Sequence, residues 1–406
     1  MLENKLKIAI VVSHPIQHFC PQYVSFAKNK DIELKVFFGS ALGHKKYTDI
    51  NFGQEIAWGN LNLEKFDHVF LNAGAVLPAD KNLDASTLEK ELKTFAPGLL
   101  IGYGYFQKLQ RRAKRWALKN NTPFAYISDA ENRQKRHPLK ELVKAVMLRR
   151  YFKNINYFLT VGDANEAYYR KYGVPGNKML RMHFPIDLQQ YIKCYEEKAD
   201  LAKAIRSQYR IGEQEIVLLV VGKLVPWKNQ DHIIEALQLL EYKGIIAHLF
   251  ILGSGPMAAA WEQKAKALKQ CKVYFPGFVS IAQLPAYYAA ADVYVHPASV
   301  EPHSIAVSEA IYMACPVIIS DSCGSYGVSD DVQEAKNGYV YPFGNINQLA
   351  DKIEMLITHR QLREKSGAYS HQIAAAFQQT AHYEIGNKLI SVLRKTNKKS
   401  EKHGSL

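Results

Sequence analysis

Short apolar runs alternate with amphipathic stretches along the first 185 residues. The runs are four to six residues long, turn residues bound them, and they lie at 7–12, 33–38, 68–71, 98–103, 123–128 and 157–162. Runs of this length predict buried strands, whereas the stretches between them have helical spacing, as at 84–95, 106–119 and 138–153. Strands that alternate with helices favour a doubly wound parallel sheet.

A second alternating series follows a proline-broken segment around 182–191. Its apolar runs lie at 215–222, 247–253, 272–277, 292–297, 316–320 and 338–343. Two series predict an α/β fold of two Rossmann-like domains, residues 1–185 and 186–375, that face each other across a cleft. Ligands of open α/β sheets bind beyond the carboxyl ends of the strands, so chemistry is expected in that cleft. A helix at 376–393 could pack back on the first domain, and the basic tail 394–406 is predicted to be disordered.

Composition agrees with two cores, since 48% of the 406 residues are apolar and 22% are charged. No apolar run has the length needed to span a bilayer, and the first one is interpreted as a strand, not as a signal peptide. The five cysteines are scattered and lack CxxC spacing. They predict neither a disulfide framework nor a zinc site, and favour a reducing cytosolic compartment.

The net charge of +14 is concentrated in one segment, because residues 100–185 hold 18 Lys or Arg against 5 Asp or Glu. Leucines and valines at helical spacing within 138–153 share this segment with Lys140, Lys144, Arg149 and Arg150. The stretch 107–153 could therefore bind an anionic membrane surface. Other basic residues that could join it are Arg111, Arg115, Arg133, Lys135 and Arg136. The simpler interpretation is a set of solvated basic helix faces.

Two glutamates form the most informative spacing in the chain. Glu301 follows the run at 292–297, and Glu309 lies eight residues later, on a helix that begins at His303, Ser304 and Ile305. The unpaired amides at such a helix start can receive an anion. The first carboxylate can accept hydrogen bonds from sugar hydroxyls, and the second can accept those of a ribose.

A second signal is the stretch VVGKLVPWKNQ at 220–230, where a strand ends at Gly222 and a turn carries Lys223 and Lys228. Two ammonium groups at a strand-to-helix turn can neutralise a diphosphate and stabilise a departing one. Lysines in a turn are usually only solvated, but their combination with Glu301 and Glu309 favours a binding role for Lys223 and Lys228.

In these residues the second half resembles the retaining glycosyltransferases of family 4, whose two-domain fold is called GT-B. The resemblance runs, in order, through GKLVPWKN (222–229), ILGSGP (251–256), PGFVS (276–280), EPHSIAVSEA (301–310) and NGYVYPFGNINQLADKI (337–353). It implies transfer of a hexosyl or N-acetylhexosaminyl group from a UDP- or GDP-sugar to a glycan, glycolipid or lipid-linked acceptor. Polysaccharide or lipopolysaccharide biosynthesis would be typical, at the cytoplasmic face of the membrane.

The resemblance also implies roles by position. Lys223 and Lys228 would hold the diphosphate, and Glu301, the first glutamate of the E-x7-E motif, would contact the donor sugar beside His303. Glu309 would bind the ribose. The backbone at Ser304 and Ile305 would meet phosphate, with Gly222 nearby, and the nucleobase would lie at Gly253, Gly277 and Phe278. No cofactor and no metal ion are expected, since such enzymes need none and no D-x-D sequence occurs.

The chain departs from the family pattern in places. Lys223 stands where the family often has Arg, which keeps the charge but loses the bidentate fork. The first loop reads SHPIQHF at 13–19 where Gly-Gly is common. Candidates for the acceptor side follow predicted strands of the first domain, and a core or loop role is an equal alternative for each. They are His14, His18, Tyr103, Tyr105 and Asp129.

Three other functions compete with a transferase. A catalytically inactive nucleotide-sugar binder would keep the same residues. A nucleic-acid-binding protein could use the basic segment 100–185, but aromatic interleaving is thin and no recognition motif occurs, so no nucleic acid is expected. A GT-B epimerase or phosphorylase fits the motif order poorly. The sequence leaves the donor base, the sugar and the acceptor open.

Overall fold

Two parallel sheets organise the chain, as the alternating pattern predicts. The computed structural model describes residues 5–49, 54–56, 58–59, 61–133 and 137–403. The first domain contains β1 (Leu6–Val12), α1 (Cys20–Lys28), β2 (Ile32–Phe38), β3 (Tyr47–Asp49), β4 (Gln54–Ile56), β5 (His68–Phe70), α2 (Leu88–Phe95), β6 (Leu99–Tyr103), α3 (Lys108–Lys119), β7 (Phe124–Ile127), α4 (Pro138–Phe152), β8 (Tyr157–Thr160), α5 (Asp163–Lys171) and β9 (Met179–Arg181).

The second domain repeats the alternation with its own sheet. It contains α6 (Leu188–Glu196), α7 (Lys198–Gln208), β10 (Val217–Val221), α8 (Asp231–Tyr242), β11 (His248–Leu252), α9 (Ala258–Ala265), β12 (Val273–Gly277), α10 (Leu284–Ala290), β13 (Val293–His296), α11 (Ile305–Tyr312), β14 (Val317–Ser320), β15 (Gly338–Tyr341), α12 (Ile346–Thr358) and α13 (Arg360–Gln379). A π-helical turn (Thr380–Glu384) then leads into α14 (Ile385–His403).

Strand order reverses once in each sheet. The first sheet has the order β5-β2-β1-β6-β7-β8-β9, and the second has β12-β11-β10-β13-β14-β15. Every strand pair in both sheets is parallel; β1, for example, pairs Ile8 with Leu34 of β2 and with Leu99 of β6. Crevices open at the reversals, between β1 and β6 and between β10 and β13, and these are the places where α/β sheets bind ligands.

Each sheet is buried on both faces, which explains why its strands are continuous apolar runs rather than alternating ones. In β10, Val217 and Leu219 face one core while Leu218 and Val220 face the other. The same division in β1 sends Ile8 to one core of the first domain and Ala9 to the other. Helices cover both faces, so the predicted fold of two doubly wound domains is confirmed.

Three short strands were not predicted. β3 and β4 form a separate antiparallel pair, and β9 adds an edge to the first sheet. Each is three residues long, and none has the apolar run that marks a buried strand. None of the helices in the described residues is long and apolar enough to cross a membrane.

The end of the chain returns to the first domain. Ile385, Leu389, Ile390 and Leu393 of α14 are buried in the core formed by β1, β2 and α1. The tail predicted to be disordered from residue 394 instead continues this helix as far as His403. Burial of the four apolar residues fixes the preceding turns, and the lysine-rich sequence after them extends a helix that already exists. Residues 404–406 lie outside the described residues.

Removing the docked side chain of α14 should destabilise the first domain. We expect Leu389→Ala to lower the free energy of unfolding by about 3 kcal/mol, because Leu389 is fully buried and a leucine-to-alanine change in a core leaves a cavity. Urea denaturation followed by circular dichroism measures the change. Lys388→Ala, one residue earlier and solvent-facing in its ion pair with Glu384, is the control. Equal stability of the two variants would contradict the docking of α14.

Candidate active site

A cavity of about 530 Å³ lies in the cleft and takes its walls from both domains. It opens at the reversals of strand order described above. The second domain contributes the loop after β10, the loop after β13 and the first turn of α11. Its lining residues are His14, Ile16, Gln17, His18, Trp58, Ile186, Asp187, Val221, Gly222, Lys223, Lys228, Ile281, Leu284, Glu301, His303, Ser304, Ile305, Ala306 and Glu309.

Close backbone packing shapes the strand ends below the cavity. The amide of Gly222 donates to the carbonyl of Leu252, and the amide of Gly253 donates to the carbonyl of Gly277. Gly253 has φ of +136°, and a Cβ there would lie 1.9 Å from the carbonyl oxygen of Gly222. Only glycine meets both demands, so Gly253 is required for the approach of two loops. This fixes where Gly222 and Lys223 stand.

Glu301 is held as a buried anion. Lys228 Nζ donates to its Oε2, and His296 Nε2 donates to the same oxygen at 3.2 Å. Burial alone would raise the pKa of Glu301, but the hydrogen bond from His296 and the charge of Lys228 lower it to about 2. Burial lowers the pKa of His296, so this ring is a neutral donor. A carboxylate ionised at every physiological pH can accept hydrogen bonds from sugar hydroxyls.

Glu309 has the opposite electrostatic setting. Its side chain is buried on α11, and its Oε2 accepts a hydrogen bond from the hydroxyl of Tyr288 at 2.9 Å. Burial raises the pKa of Glu309 to about 7, against the effect of that hydrogen bond. The pair of glutamates thus consists of one fixed anion and one carboxyl group that titrates near neutrality, both at the same cavity.

The start of α11 presents backbone donors to the cavity. The amide of Ser304 already donates to Ser325 Oγ at 2.8 Å. The amides of Ile305 and Ala306 have no hydrogen-bond partner in the part of the chain that the structure describes. The phosphate contact expected at Ser304 and Ile305 is therefore available at Ile305 and Ala306, where the helix dipole also favours an anion.

His303 is anchored within the second domain. Its Nε2 donates to Asp331 Oδ2 at 3.1 Å, and Ser308 Oγ donates to the same oxygen at 2.6 Å. Burial opposes the charge of His303, but Asp331 and Asp330 outweigh it and raise the pKa of the imidazole. The two aspartates therefore favour the protonated form of the ring, whose Nε2 points toward Asp331.

One cluster in the described residues has the composition of a metal site. The ligand atoms of His303, Asp330 and Asp331 lie within 4.8 Å of one another. Hydrogen bonds already use them: Asp331 accepts from His303 and Ser308, and Asp330 accepts from backbone amides of residues 331 and 163. We interpret the cluster as a buried ion pair, because its oxygens are satisfied without a cation.

Two histidines enter the cavity from the first domain. His14 follows β1 and is hydrogen-bonded through Nδ1 to Ser13 Oγ at 2.8 Å. Burial lowers the pKa of His14 to about 4, and burial together with His14 lowers that of His18 to about 3. Both rings are neutral. His18 Nε2 is buried and lacks a partner among the residues with described positions, so it is available to a ligand.

Part of this chain is similar in sequence to known proteins, and nearly the whole chain is similar in structure to known proteins. Residues 202–373 match the family model described as glycosyl transferases group 1. This match confirms the resemblance of the second half, and the matched segment contains the two lysines and the two glutamates of the cavity.

Relatives match over part of their length. A GDP-mannose-dependent alpha-(1-6)-phosphatidylinositol monomannoside mannosyltransferase of Mycobacterium tuberculosis is 31% identical over 183 residues, 42% of this chain and 46% of that protein. The alpha-D-kanosaminyltransferase of Streptomyces kanamyceticus is 26% identical over 215 residues, 52% and 54% of the two chains. The chain thus spans about half the length of these relatives.

The fold extends over the whole chain. HepE of Anabaena, solved in complex with UDP and glucose, is similar with a TM-score of 0.65 over 95% of this chain and 100% of that chain. At 16% identity, this likeness establishes the fold alone, and the fold is GT-B as predicted.

The structure brings most of the predicted donor-site residues of the second domain to one cavity, but not those expected at the nucleobase. Gly253, Gly277 and Phe278 lie at the ends of β11 and β12, outside the cavity lining. Gly253 serves loop packing, and Phe278 is exposed. Ile281 and Leu284, a few residues further on, line the cavity instead.

The acceptor-side candidates divide in a similar way. Tyr103 is turned into the first domain, where its hydroxyl accepts a hydrogen bond from Tyr23 at 3.0 Å. Tyr105 lines a separate groove beside α4. Asp129 is exposed outside the cavity lining, although it lies close enough to His303 and Glu301 to interact with their charges. Of the five candidates, His14 and His18 reach the cavity.

Several lining residues were not predicted. Asp187 begins α6, where its carboxylate accepts from the amide of Gln190, and Trp58 and Gln17 come from first-domain loops. Asp187 had a recognisable signal, because an aspartate before a helical run is a common N-cap. The two loop residues had none, since their place depends on how the chain folds between distant strands.

Neutralising Glu309 should change how stability depends on pH. Its folded-state pKa of about 7 exceeds the ordinary value of 4.5, so wild-type stability falls as pH rises across this window. Glu309→Gln removes the titrating proton. We expect the stability of the variant relative to wild type to increase between about pH 5 and about pH 8, by up to about 3 kcal/mol. Urea denaturation at the two pH values measures it.

The control is Glu262→Gln, which changes an exposed glutamate of α9. Its difference from wild type should be the same at both pH values. If Glu309→Gln behaves like this control, the carboxyl group of Glu309 is not protonated in the folded protein.

Proposed function

We propose that this protein is a retaining glycosyltransferase that moves a sugar from a UDP- or GDP-sugar to a glycan, glycolipid or lipid-linked acceptor, without a metal ion. One observation carries the proposal: the ends of β10 and β13 bring Lys223, Lys228, Glu301 and Glu309 to a single cavity with the start of α11. The family of the second domain supports the reaction class. The similar proteins include both a GDP-mannose-dependent enzyme and a protein solved in complex with UDP.

The diphosphate of the donor belongs at the start of α11. Backbone amides of Ile305 and Ala306 and the positive end of the helix dipole face it, and Lys223 and Lys228 supply charge from the opposite loop. These groups stabilise the nucleoside diphosphate as it departs, which is the charge that develops in the reaction. The same four donors do what a divalent cation does in other transferases.

The two glutamates bind the sugars of the donor. Glu309 lies deeper on α11, and its carboxyl group accepts the ribose hydroxyls. Glu301 is ionised and fixed by Lys228 and His296, so it accepts hydrogen bonds from hydroxyls of the transferred sugar. The acceptor enters from the first domain, beside His14 and His18. His18 Nε2, which has no partner among the described residues, binds its hydroxyl groups.

Nucleotide binding and turnover test this reaction. We expect UDP or GDP, but not ADP, to raise the melting temperature of the protein, and the corresponding nucleotide sugar to be slowly hydrolysed. In Lys228→Ala, kcat should fall about 100-fold with a smaller change in KM, because the lysine stabilises the leaving diphosphate. Hydrolysis should continue in EDTA, and NMR of a transfer product should show a retained anomeric configuration.

Lys243→Ala is the matched control, since Lys243 pairs with Glu354 on the outer surface. It should hydrolyse the donor at the wild-type rate. If no nucleotide raises the melting temperature of wild type, the donor site is wrong. If a nucleotide binds but its sugar is never transferred or hydrolysed, the protein is a nucleotide-sugar binder.

We propose that α4 attaches the enzyme to an anionic membrane surface. Five apolar side chains of this helix are between 46% and 70% exposed, namely Leu139, Leu142, Val143, Val146 and Met147. Lys140, Arg149 and Arg150 are exposed on the same helix. Apolar insertion combined with basic charge is the chemistry of interfacial helices.

The structure also reduces the basic surface expected from the sequence. Lys114 is buried, where its Nζ donates to the carbonyl of Tyr151, and Arg112 pairs with Asp84 at 2.7 Å. These two are committed to the fold of the first domain. Lys135 and Arg136 lie outside the described residues.

Co-flotation with phosphatidylglycerol vesicles tests the membrane surface. Wild type should float with these vesicles and less with phosphatidylcholine, and high salt should weaken the binding without abolishing it. Changing Val143 and Val146 together to Ser should reduce binding at least about tenfold, since each buried apolar side chain contributes. Leu239→Ser, an exposed leucine of α8, is the control. Equal flotation of both variants would exclude α4 as the contact.

A further inference from the structure

A segment of the second domain that contains Ser329 is hydrogen-bonded to the first domain. The amide and hydroxyl of Ser329 donate to the carboxylate of Asp163 at 2.9 and 2.7 Å. Arg181 binds both partners of this contact. It donates to Asp163 Oδ1 at 2.7 Å and to the carbonyl of Ser329 at 2.9 Å. Asp163 and Arg181 belong to the first domain, and Ser329 belongs to the second.

The neighbouring residue completes the contact. Asp330 Oδ2 accepts the backbone amide of Asp163, the first residue of α5, at 2.6 Å. The side chain of Asp330 is fully buried. A carboxylate at this position satisfies a helix amide and lies at the positive end of the helix dipole. We call Asp163, Arg181, Ser329 and Asp330 the interdomain clasp.

The clasp is joined directly to the cavity. Asp330 Oδ1 accepts the backbone amide of Asp331 at 2.8 Å, and Asp331 Oδ2 accepts from His303 Nε2 and from Ser308 Oγ. His303 lines the cavity one residue before the N-cap of α11, and Ser308 lies on α11. Three consecutive hydrogen bonds therefore connect α5 of the first domain with His303, and a branch at Asp331 reaches Ser308 of α11.

We propose that Asp330 and Asp331 are positioning residues that transmit contact between the domains to His303 and the start of α11, so that the anion-binding end of the cavity is ordered only while the clasp is closed. The proposal deepens the donor site proposed above and rests on it for the nucleotide that responds. It predicts that a substitution in the first-domain part of the clasp weakens the affinity of the second domain for a nucleotide.

The surroundings of His303 make it sensitive to this contact. Asp331 and Asp330 face it from the clasp side, Asp129 faces it from the first domain, and His183 lies near enough to oppose its charge. The ring of Phe184 packs edge-on against it at 4.9 Å between centroids. Because Asp331 and Asp330 raise the pKa of His303, moving either carboxylate changes both the position and the proton affinity of the ring.

Gly162 offers a way to open the clasp without replacing any of these side chains. Its backbone is extended, with φ of −168° and ψ of 177°, so alanine can adopt it. A Cβ on Gly162 would lie 2.3 Å from Asp330 Oδ2, which forces the carboxylate away from α5. Gly176→Ala is the matched control, since nothing lies within 4 Å of a Cβ at that position.

The experiment compares full-length wild type, Gly162→Ala, Asp330→Asn and Gly176→Ala. Affinity for UDP and for GDP is measured by calorimetry, and the imidazole 15N signals of His303 are assigned with a His303→Gln sample. We expect Gly162→Ala and Asp330→Asn to bind the nucleotide about tenfold more weakly, the cost of one hydrogen bond to a charged group. The His303 signals should shift in both and stay unchanged in Gly176→Ala.

Circular dichroism verifies that each variant is folded, and Asp330→Asn, which keeps the side-chain shape, replaces Gly162→Ala if that variant fails. Folded variants with wild-type affinity and unshifted His303 signals would overturn the proposal. If wild type binds neither UDP nor GDP, the donor site itself is wrong. In that case the His303 signals are the remaining test of the clasp, and unshifted signals would overturn the proposal.

Discussion

A buried negative charge sets the conditions for the rest of the cleft. Glu301 lies where loss of hydration would favour the neutral acid, and Lys228 and His296 keep it ionised. Lys228 comes from the loop after β10, whereas His296 ends β13, so one carboxylate ties together the two strands at which the order of the sheet reverses. A buried charge that lost one partner would be strongly destabilised. The two loops are therefore held at a fixed separation before any ligand arrives.

This arrangement explains why much of the donor site could be predicted from sequence. Lys223, Lys228 and Glu301 follow strands whose apolar pattern is unmistakable, and parallel strands place such residues at one edge of a sheet. Glu309 lies on the helix that begins just after Glu301. The strands of both sheets were predictable for the same reason, because burial on both faces demands continuous apolar runs. The pattern of apolar residues thus predicts the strands and helices, and it also predicts the sheet edge at which the polar residues that follow the strands meet.

Other features depend on contacts that no local pattern records. Tyr103 follows a strand just as His14 does, yet it turns to Tyr23 while His14 turns to the cavity, and the difference lies in packing against α1. The amide of Ser304 is consumed by Ser325, twenty-one residues away. Asp330 and Asp331 lie in a loop, and no local pattern marks them, because their partners Asp163 and His303 come from distant parts of the chain. The tail has the composition of a disordered segment, whereas the structure continues α14 through it to His403, after the docked Leu389 and its neighbours.

The backbone passes between the domains at two places, and these lie side by side. Gln378 donates to the carbonyl of Phe184 and accepts the amide of Ile186, and His382 Nε2 donates to the carbonyl of Ile186 at 3.0 Å. Because hydrogen bonds join the two crossings, neither can move without displacing the other. A shift of one domain relative to the other therefore has to deform both crossings at once, although they lie far apart in the sequence.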